Sequence, residues 1–490
     1  MSKRLLLALI AFGVSAVGEE NRLYRFLIEQ NKAQIVALDE GKLIPRALAK
    51  KLARALGEID ERNRKSGKLS ANYLDLEEQL VQSIGPEASN VHMGRSRNDL
   101  GATSERMILR EDTLAILGRL AEARQAAIAL AEKNVRTVIP GFTHSVQAQP
   151  TTLAHSLSAY ISALERDEAR LRETYARLDR CPLGAAAFTT SGFALDRRRL
   201  AELMGFSGLL ENGYDAIMVS TADSKAELAS ALALSAINVG RFAQQFAIQY
   251  SDSRPGLNLA DETVGHSSIM PQKRNPRQAE RIRILASAVV GDAHTVALTA
   301  HNTPGGEIAD IRVHLVERTE VVTRAAEEMF STLAGFVRAI RVDPKRTLEL
   351  VDADYSVMTE FADTLLRESQ VPFRTGHKVA SELAAYGRAN GKRPADLTFE
   401  EVTEVYRKAA GGPIPLTAER VKEAMSATHF IESRRGIGGP QPAEMERMLA
   451  GHRARVAGLE AWLGEERARL RAADEARNRA FARLTMAASQ

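Results

Sequence analysis

Three polar stretches of this chain carry side chains able to grip carboxylates and move protons. They are Gly94 to Asp99 (GRSRND), Gly141 to Pro150 (GFTHSVQAQP) and Gly265 to Pro276 (GHSSIMPQKRNP), with Glu280 just beyond the last. Arg97, Asn98, Thr143, Ser267, Lys273 and Asn275 offer charged and neutral donors in the numbers that two carboxylates require. His144 and Ser268 add groups that take or give a proton. Each stretch taken alone also has a plain reading: Arg95 and Arg97 as surface ion pairs, His144 as a helix cap, the Gly-Ser run as a flexible loop. Their combination points to a dicarboxylate ligand next to acid-base groups.

Long helices are the elements that must position these stretches. Apolar residues recur three and four apart at Leu114, Leu117, Leu120, Ala121, Ala127 and Ile128, and again at Leu153, Leu157, Ile161, Leu164, Leu171 and Leu178. The run from Leu228 to Tyr250 is apolar on nearly every face, so it belongs inside a bundle or at a subunit interface. No period-two alternation is sustained and no glycine-rich phosphate loop follows a strand-like run, which makes the fold class all-α. Loop chemistry separates an N-terminal helical domain over 1–105, a long-helix domain over 106–350 and a C-terminal helical domain over 351–490. The last is broken at Pro372, Gly391, Gly411-Gly412-Pro413 and Gly436 to Pro440. From Met445 to Arg483 runs a charged helical pattern.

With 44% hydrophobic and 26% charged residues, a chain of 490 residues buries a large core, and 5% aromatics favours helices over a sandwich or barrel. A formal charge of +4 with no basic run interleaved with aromatics argues against nucleic acid as a partner. Cys181 is the only cysteine, which excludes an internal disulfide framework and a cysteine metal cluster. Lys3-Arg4, the apolar run Leu5 to Val14 and Ser15-Ala16 have the order of a secretory signal cleaved near Ala16; otherwise the segment is buried, or a mispredicted start, and the protein is cytoplasmic. No other segment has ~18 consecutive apolar residues, so no membrane partner is expected.

The three stretches together resemble the fumarase/aspartase superfamily and, within it, the argininosuccinate lyase family. GRSRND, THSVQAQP and SSIMPQKRNP are similar to that family's motifs, and VPFRTGH at 371–377 and GIGGPQP at 436–442 are similar to its C-terminal domain. The resemblance implies a three-domain all-α fold whose long central helices form a bundle completed by a homotetramer. It also implies active sites shared between three subunits, with no metal or organic cofactor. The implied reaction is elimination of an amine from an N-substituted aspartate, releasing fumarate. Ser268 would be the base, supported by Lys273; His144, paired with Glu280, would help the amine leave. Ser96, Arg97, Asn98, Thr143, Ser267, Met270 and Asn275 would hold the substrate, and Gln149 would support the His144 loop. The signature loop around Ser268 would close over substrate.

Three departures bear on the amine. Where the family carries Gly-Ser-x-Ala-His, this chain reads Gln30-Asn31-Lys32-Ala33-Gln34, leaving Asn31 as a contact residue. The family's Tyr-Asn-x-Asp-Leu-Gln-Glu-Asp-Lys stretch appears as HNTPGGEIA at 301–309, with His301, Gly306 and Ala309 in place of Tyr, Gln and Lys. Losing three polar contacts at ~1 kcal/mol each weakens recognition by orders of magnitude. His266 replaces a glycine before the serine pair. The expectation is a lyase whose amine is not arginine. Argininosuccinate lyase itself is the alternative, and a non-catalytic crystallin-like relative is a third reading.

Overall fold

The computed structural model describes residues 3–306 and 308–486, with side chains from residue 21 onward. The signal-like reading of the first sixteen residues rests on side chains outside the described residues, as does Glu307 within the 301–309 stretch.

Helical periodicity is realised as long helices. The N-terminal part holds α1 (Lys3–Glu40), α2 (Arg46–Ser66) and α3 (Tyr73–Ile84). The centre holds α4 (Arg97–Glu132), α5 (Leu153–Leu178), α6 (Arg197–Leu203), α7 (Ser220–Tyr250), α8 (Arg277–Ala300) and α9 (Val316–Ala339). Short helices follow: α10 (Pro344–Asp352), α11 (Met358–Ser369), α12 (Phe373–Ala389), α13 (Phe399–Ala410), α14 (Ala418–Ala424) and α15 (Ala427–Glu432). The last, α16 (Pro442–Thr485), is 44 residues long.

Among the described residues the apolar side chains form three large cores and a small fourth cluster around Ala185 and Ile217. Leu117, Ile161, Leu232, Val289 and Phe330 belong to the central one, Ile35, Leu52 and Leu80 to the first, and Phe361, Val379 and Val402 to the third. The third core ends at Ile431: α16 leaves it, placing Leu449, Leu459 and Leu463 on the central core and Phe481 and Leu484 on the first. Buried polar ties fix its course. Arg469 meets Asp179 at 2.6 Å, Arg477 donates to Leu203 O at 3.1 Å, and Lys32 donates to Asn478 at 3.3 Å. Ser158 Oγ, His452 Nε2 and Glu165 form a chain of 2.8 and 2.7 Å contacts between α5 and α16. Ser158 sits inside a helix whose backbone N–H groups are already bonded, so nothing there stabilises an oxyanion, and the trio is a structural tie.

The central helices share two ends. Gly101 near the start of α4 lies against Arg312, in the π-helical turn Asp310–Leu315 that leads into α9, while Lys133 and Val337 near the ends of these helices line one groove. Gly305 and Gly306, just past α8, pack on Met218, just before α7. Thus α4, α7 and α9 start at the first end; Arg106 near the start of α4 reaches Leu178 O at the finish of α5, so α5 ends there too, and α5 and α8 start at the second end. A helix of 36 residues spans ~54 Å, which sets the distance between the ends.

The apolar run over 228–250 packs inside the bundle on one side and is exposed on the other. Leu228, Leu232, Val239 and Phe246 are buried in this chain, whereas Leu234 and Ile237 on α7, at 46% and 47% exposure, and Ile284 and Leu298 on α8, both at 60%, face outward. Among the described residues α8 is also the one helix apolar and long enough to cross a membrane, but Ile282, Leu285, Val289 and Val296 on its inner face are packed in the bundle.

Strands are a correction to the helix-only reading, though a small one. Among the described residues four two-stranded ladders occur: β1 (Val138–Thr143) with β2 (Val146–Thr152), β3 (Arg180–Cys181) with β4 (Gly208–Leu209), β5 (Leu257–Leu259) with β8 (Ile340–Val342), and β6 (Gly265–His266) with β7 (Arg274–Asn275). Two of them carry the polar stretches singled out in the sequence.

Candidate active site

The GRSRND stretch forms the start of α4. Ser96 is the N-cap, its Oγ accepting from Asn98 N at 3.4 Å, so the free N–H groups and positive end of a long helix face outward beside Arg97 and Asn98. Asp99 holds this arrangement from within. Wholly buried, its carboxylate accepts from Ser96 N at 2.8 Å, Gly184 N at 2.8 Å and Ala186 N at 3.2 Å, and burial raises its pKa to about 6. It thereby staples the helix start to the loop at 184–187, where Ala187 O accepts from Asn98 Nδ2 at 3.5 Å. Asp99 was not among the expected site residues, although the Ser-x-x-Asp capping box that reveals it is legible in the sequence.

The surface-ion-pair reading fails for both arginines, in different ways. Arg95 is buried, donates to Asn31 Oδ1 at 2.6 Å, and is pushed down to about 10 by desolvation. Arg97 is exposed, and among the described residues no carboxylate pairs with it. It borders a cleft of about 290 Å³. Asn31 departs from its expected role. At 2% exposure, with Nδ2 donating to Leu27 O at 2.8 Å and Oδ1 taken by Arg95, it positions Arg95 rather than facing a ligand.

The second stretch is a hairpin. Thr143 pairs with Val146 across a two-residue turn in which His144 and Ser145 have φ of 52° and 61°, the left-handed geometry of a type I′ turn. Neither is glycine, so this turn stores strain, and it thrusts an exposed His144 outward instead of capping a helix. Two glutamines of the hairpin reach the C-terminal part: Gln149 donates to Thr359 Oγ1 at 3.1 Å and Gln147 to Val351 O at 3.0 Å.

The third stretch is a loop tied at its base and open at its tip. β6 and β7 close it, Arg274 pairs with Asp261 and donates to Leu259 O at 2.7 Å, and Tyr250 OH donates to Arg274 O at 3.0 Å. Gly265 is required there, because a Cβ would come within 2.1 Å of Arg277 Nε. Within the loop Ser267 Oγ accepts from Met270 N at 3.0 Å, while Ser268, Met270 and Lys273 are exposed and Asn275 lies in β7. Glu280 is exposed in the first turn of α8. The His144 and Glu280 pair is not formed within one chain: no hydrogen bond joins them among the described residues.

One chain therefore splits the expected site. Ser96, Arg97, Asn98 and the exposed His301 at the C-cap of α8 lie at the first end of the bundle. Thr143, His144, Ser267, Ser268, Lys273, Asn275 and Glu280 lie at the second, because the hairpin follows α4 and the loop precedes α8. The second end carries side chains able to move protons, and the first carries donors able to grip an anion.

Comparison with known proteins assigns this arrangement. Residues 50–291 match the family described as Lyase, and residues 355–432 match the argininosuccinate lyase C-terminal family. Argininosuccinate lyase of Methanosarcina barkeri is 37% identical over 426 residues, covering 85% of this chain and 84% of that protein. The chain belongs to the argininosuccinate lyase family. The argininosuccinate lyase of Methanocaldococcus jannaschii is 34% identical, covering 86% and 87%. Among solved structures, EDDS lyase in complex with formate superposes with a TM-score of 0.86 at 27% identity, covering 95% of this chain and 92% of that one. A class II fumarase from Schistosoma mansoni, at 16% identity and a TM-score of 0.65 over 83% of this chain and 90% of its own, shares the fold. As an argininosuccinate lyase family member in the fumarase/aspartase superfamily, the protein is a carbon-nitrogen lyase, which overturns the non-catalytic reading.

Proposed function

We propose that this enzyme eliminates an amine from an N-(1,2-dicarboxyethyl) amine and releases fumarate, reversibly, in sites built by a homotetramer. The observation that carries the reading is the separation of the anion clamp from the proton-transfer groups by the length of the bundle. Two chains related by a twofold axis across that bundle bring the first end of one beside the second end of the other, and the outward Leu234, Ile237, Ile284 and Leu298 supply an apolar face for that contact.

In such a site the helix start with Arg97 and Asn98 holds one carboxylate, and Lys273 with Asn275 holds the other. Ser268 Oγ removes the proton from the carbon beside a carboxylate, which gains charge as an aci-carboxylate and is stabilised by Lys273 and the loop amides. The carbon-nitrogen bond then breaks, its electrons leave with nitrogen, the carbanion pair forms the double bond of fumarate, and His144 helps proton delivery to the departing amine. Thr143, Ser267 and Met270 line the succinyl part.

Two readings of the amine remain. The relatives named argininosuccinate lyase favour argininosuccinate, cleaved to arginine and fumarate. The HNTPGGEIA stretch, whose Gly306 packs on Met218 where the family's glutamine would stand, favours another amine. Purified enzyme given fumarate and a panel of amines, followed by loss of fumarate absorbance, decides between them. We expect arginine to react poorly; a strong preference for arginine reverses this choice.

A further inference from the structure

Resting on that reading, the cleft behind the clamp specifies what kind of amine departs. At about 290 Å³ it lies at the small end of ligand pockets, and it extends inward beyond the clamp itself. It runs along one face of α4 from Arg97 through Ser104 to Ile108, a rise of ~16 Å. α1 forms its opposite wall, with Gln30 level with Ser104 and Leu27 deeper.

The cleft changes character along its length. At the mouth stands Arg97. Midway lies Gln30, 0% exposed: its Nε2 donates to Ser104 Oγ at 2.8 Å, but its Oε1 has no partner, an acceptor buried at the cost of a lost hydrogen bond. Glu105 lies beside it, with Oε2 bonded to Lys225 at 2.6 Å. Leu23, Leu27, Ile108 and Val316 supply aliphatic wall. Arg312 and Glu320 add charge of both signs to the lining, and the aliphatic wall together with the free Gln30 acceptor suits a methylene chain bearing an N–H donor.

We propose that this cleft receives the departing amine, and that this amine is an unbranched aliphatic chain with a second nitrogen donor that bonds Gln30 Oε1. Purified enzyme with fumarate tests it against methylamine, pentylamine and 1,5-diaminopentane, read as kcat/KM for fumarate consumption. The diamine is expected to exceed methylamine at least tenfold, with pentylamine between. Gly101→Phe, at a helical glycine whose Cβ would meet only Arg312 at 3.5 Å, fills the cleft and collapses the ratio of diamine to methylamine. Gln30→Leu lowers the ratio of diamine to pentylamine and serves as the second variant if the first does not fold. Equal rates for all three amines, or ratios that neither variant moves, overturn the cleft assignment and leave the lyase reading standing. Fumarate untouched by every amine, ammonia and arginine included, overturns both.

Discussion

The start of α4 and the loop around Ser268, the two halves of the proposed site, are built in opposite ways. At the first, a buried carboxylate gathers three backbone N–H groups, and a helix of 36 residues aims its amide dipoles at the ligand position. At the second, a two-rung ladder and Arg274 fix only the base, and the serine hydroxyl stands in the open. An exposed serine is a poor base, because nothing stabilises its alkoxide. The contrast teaches that the donors at the start of α4 are fixed within the single chain, whereas on the proposed mechanism Ser268 needs groups from a closed, assembled site to act as a base.

The sharpest way to break this contrast is to remove the base. Ser268→Ala should cut turnover by ~10²–10⁴-fold while dicarboxylate binding and oligomer size persist. Activity near that of the parent would strip Ser268 of its role.

Asp99→Asn probes the prepared half. Loss of a charged acceptor shared by three donors should raise KM for the dicarboxylate by roughly 10–100-fold, with kcat falling less. Its pH dependence has two signs. The folded pKa of about 6 lies above the ordinary 3.8, so this group's contribution to stability is full below pH ~4 and is lost as pH rises through about 6. The clamp follows the opposite course, since the protonated carboxyl cannot accept all three bonds, and dicarboxylate affinity should fall as pH drops through about 6. Thermal unfolding and binding titrations between pH 4 and 8 should therefore move in opposite directions in the parent and flatten in the variant. Parallel curves for parent and variant would show that Asp99 does not hold the clamp.

The smallest effect is expected from Arg274→Ala, which frees the loop base from Asp261 and Leu259. Losing about 1 kcal/mol of anchoring should lower kcat roughly fivefold and leave dicarboxylate KM nearly constant. A change confined to KM would place Arg274 with the clamp instead.

Much of this was legible in the sequence, because the helices follow from apolar periodicity and the polar stretches from their interruption of it. The all-round apolar stretch over 228–250 also announced a surface that one chain leaves partly uncovered. What stayed hidden depended on tertiary placement. Nothing local distinguishes a buried Arg95 from an exposed Arg97 two residues later, and Asn31 turned inward because Arg95 needed its oxygen. The hairpin under His144 escaped notice because GFTHSVQAQP has no Asn-Gly or Asp-Gly turn, its left-handed residues being His144 and Ser145. Gln30 became interesting only when Ser104 was found opposite it.

The path of α16 sets an order of assembly. Phe481 and Leu484 complete the same core that Tyr24, Phe26 and Ile35 begin, and Lys32 reaches a partner 446 positions downstream. Closing so long a loop is entropically slow, so the earliest segment of apolar wall must wait, half-clad, for the most distant one. Until then Ile28, Leu52 and Leu56 lack the apolar cover that the last turns of α16 complete.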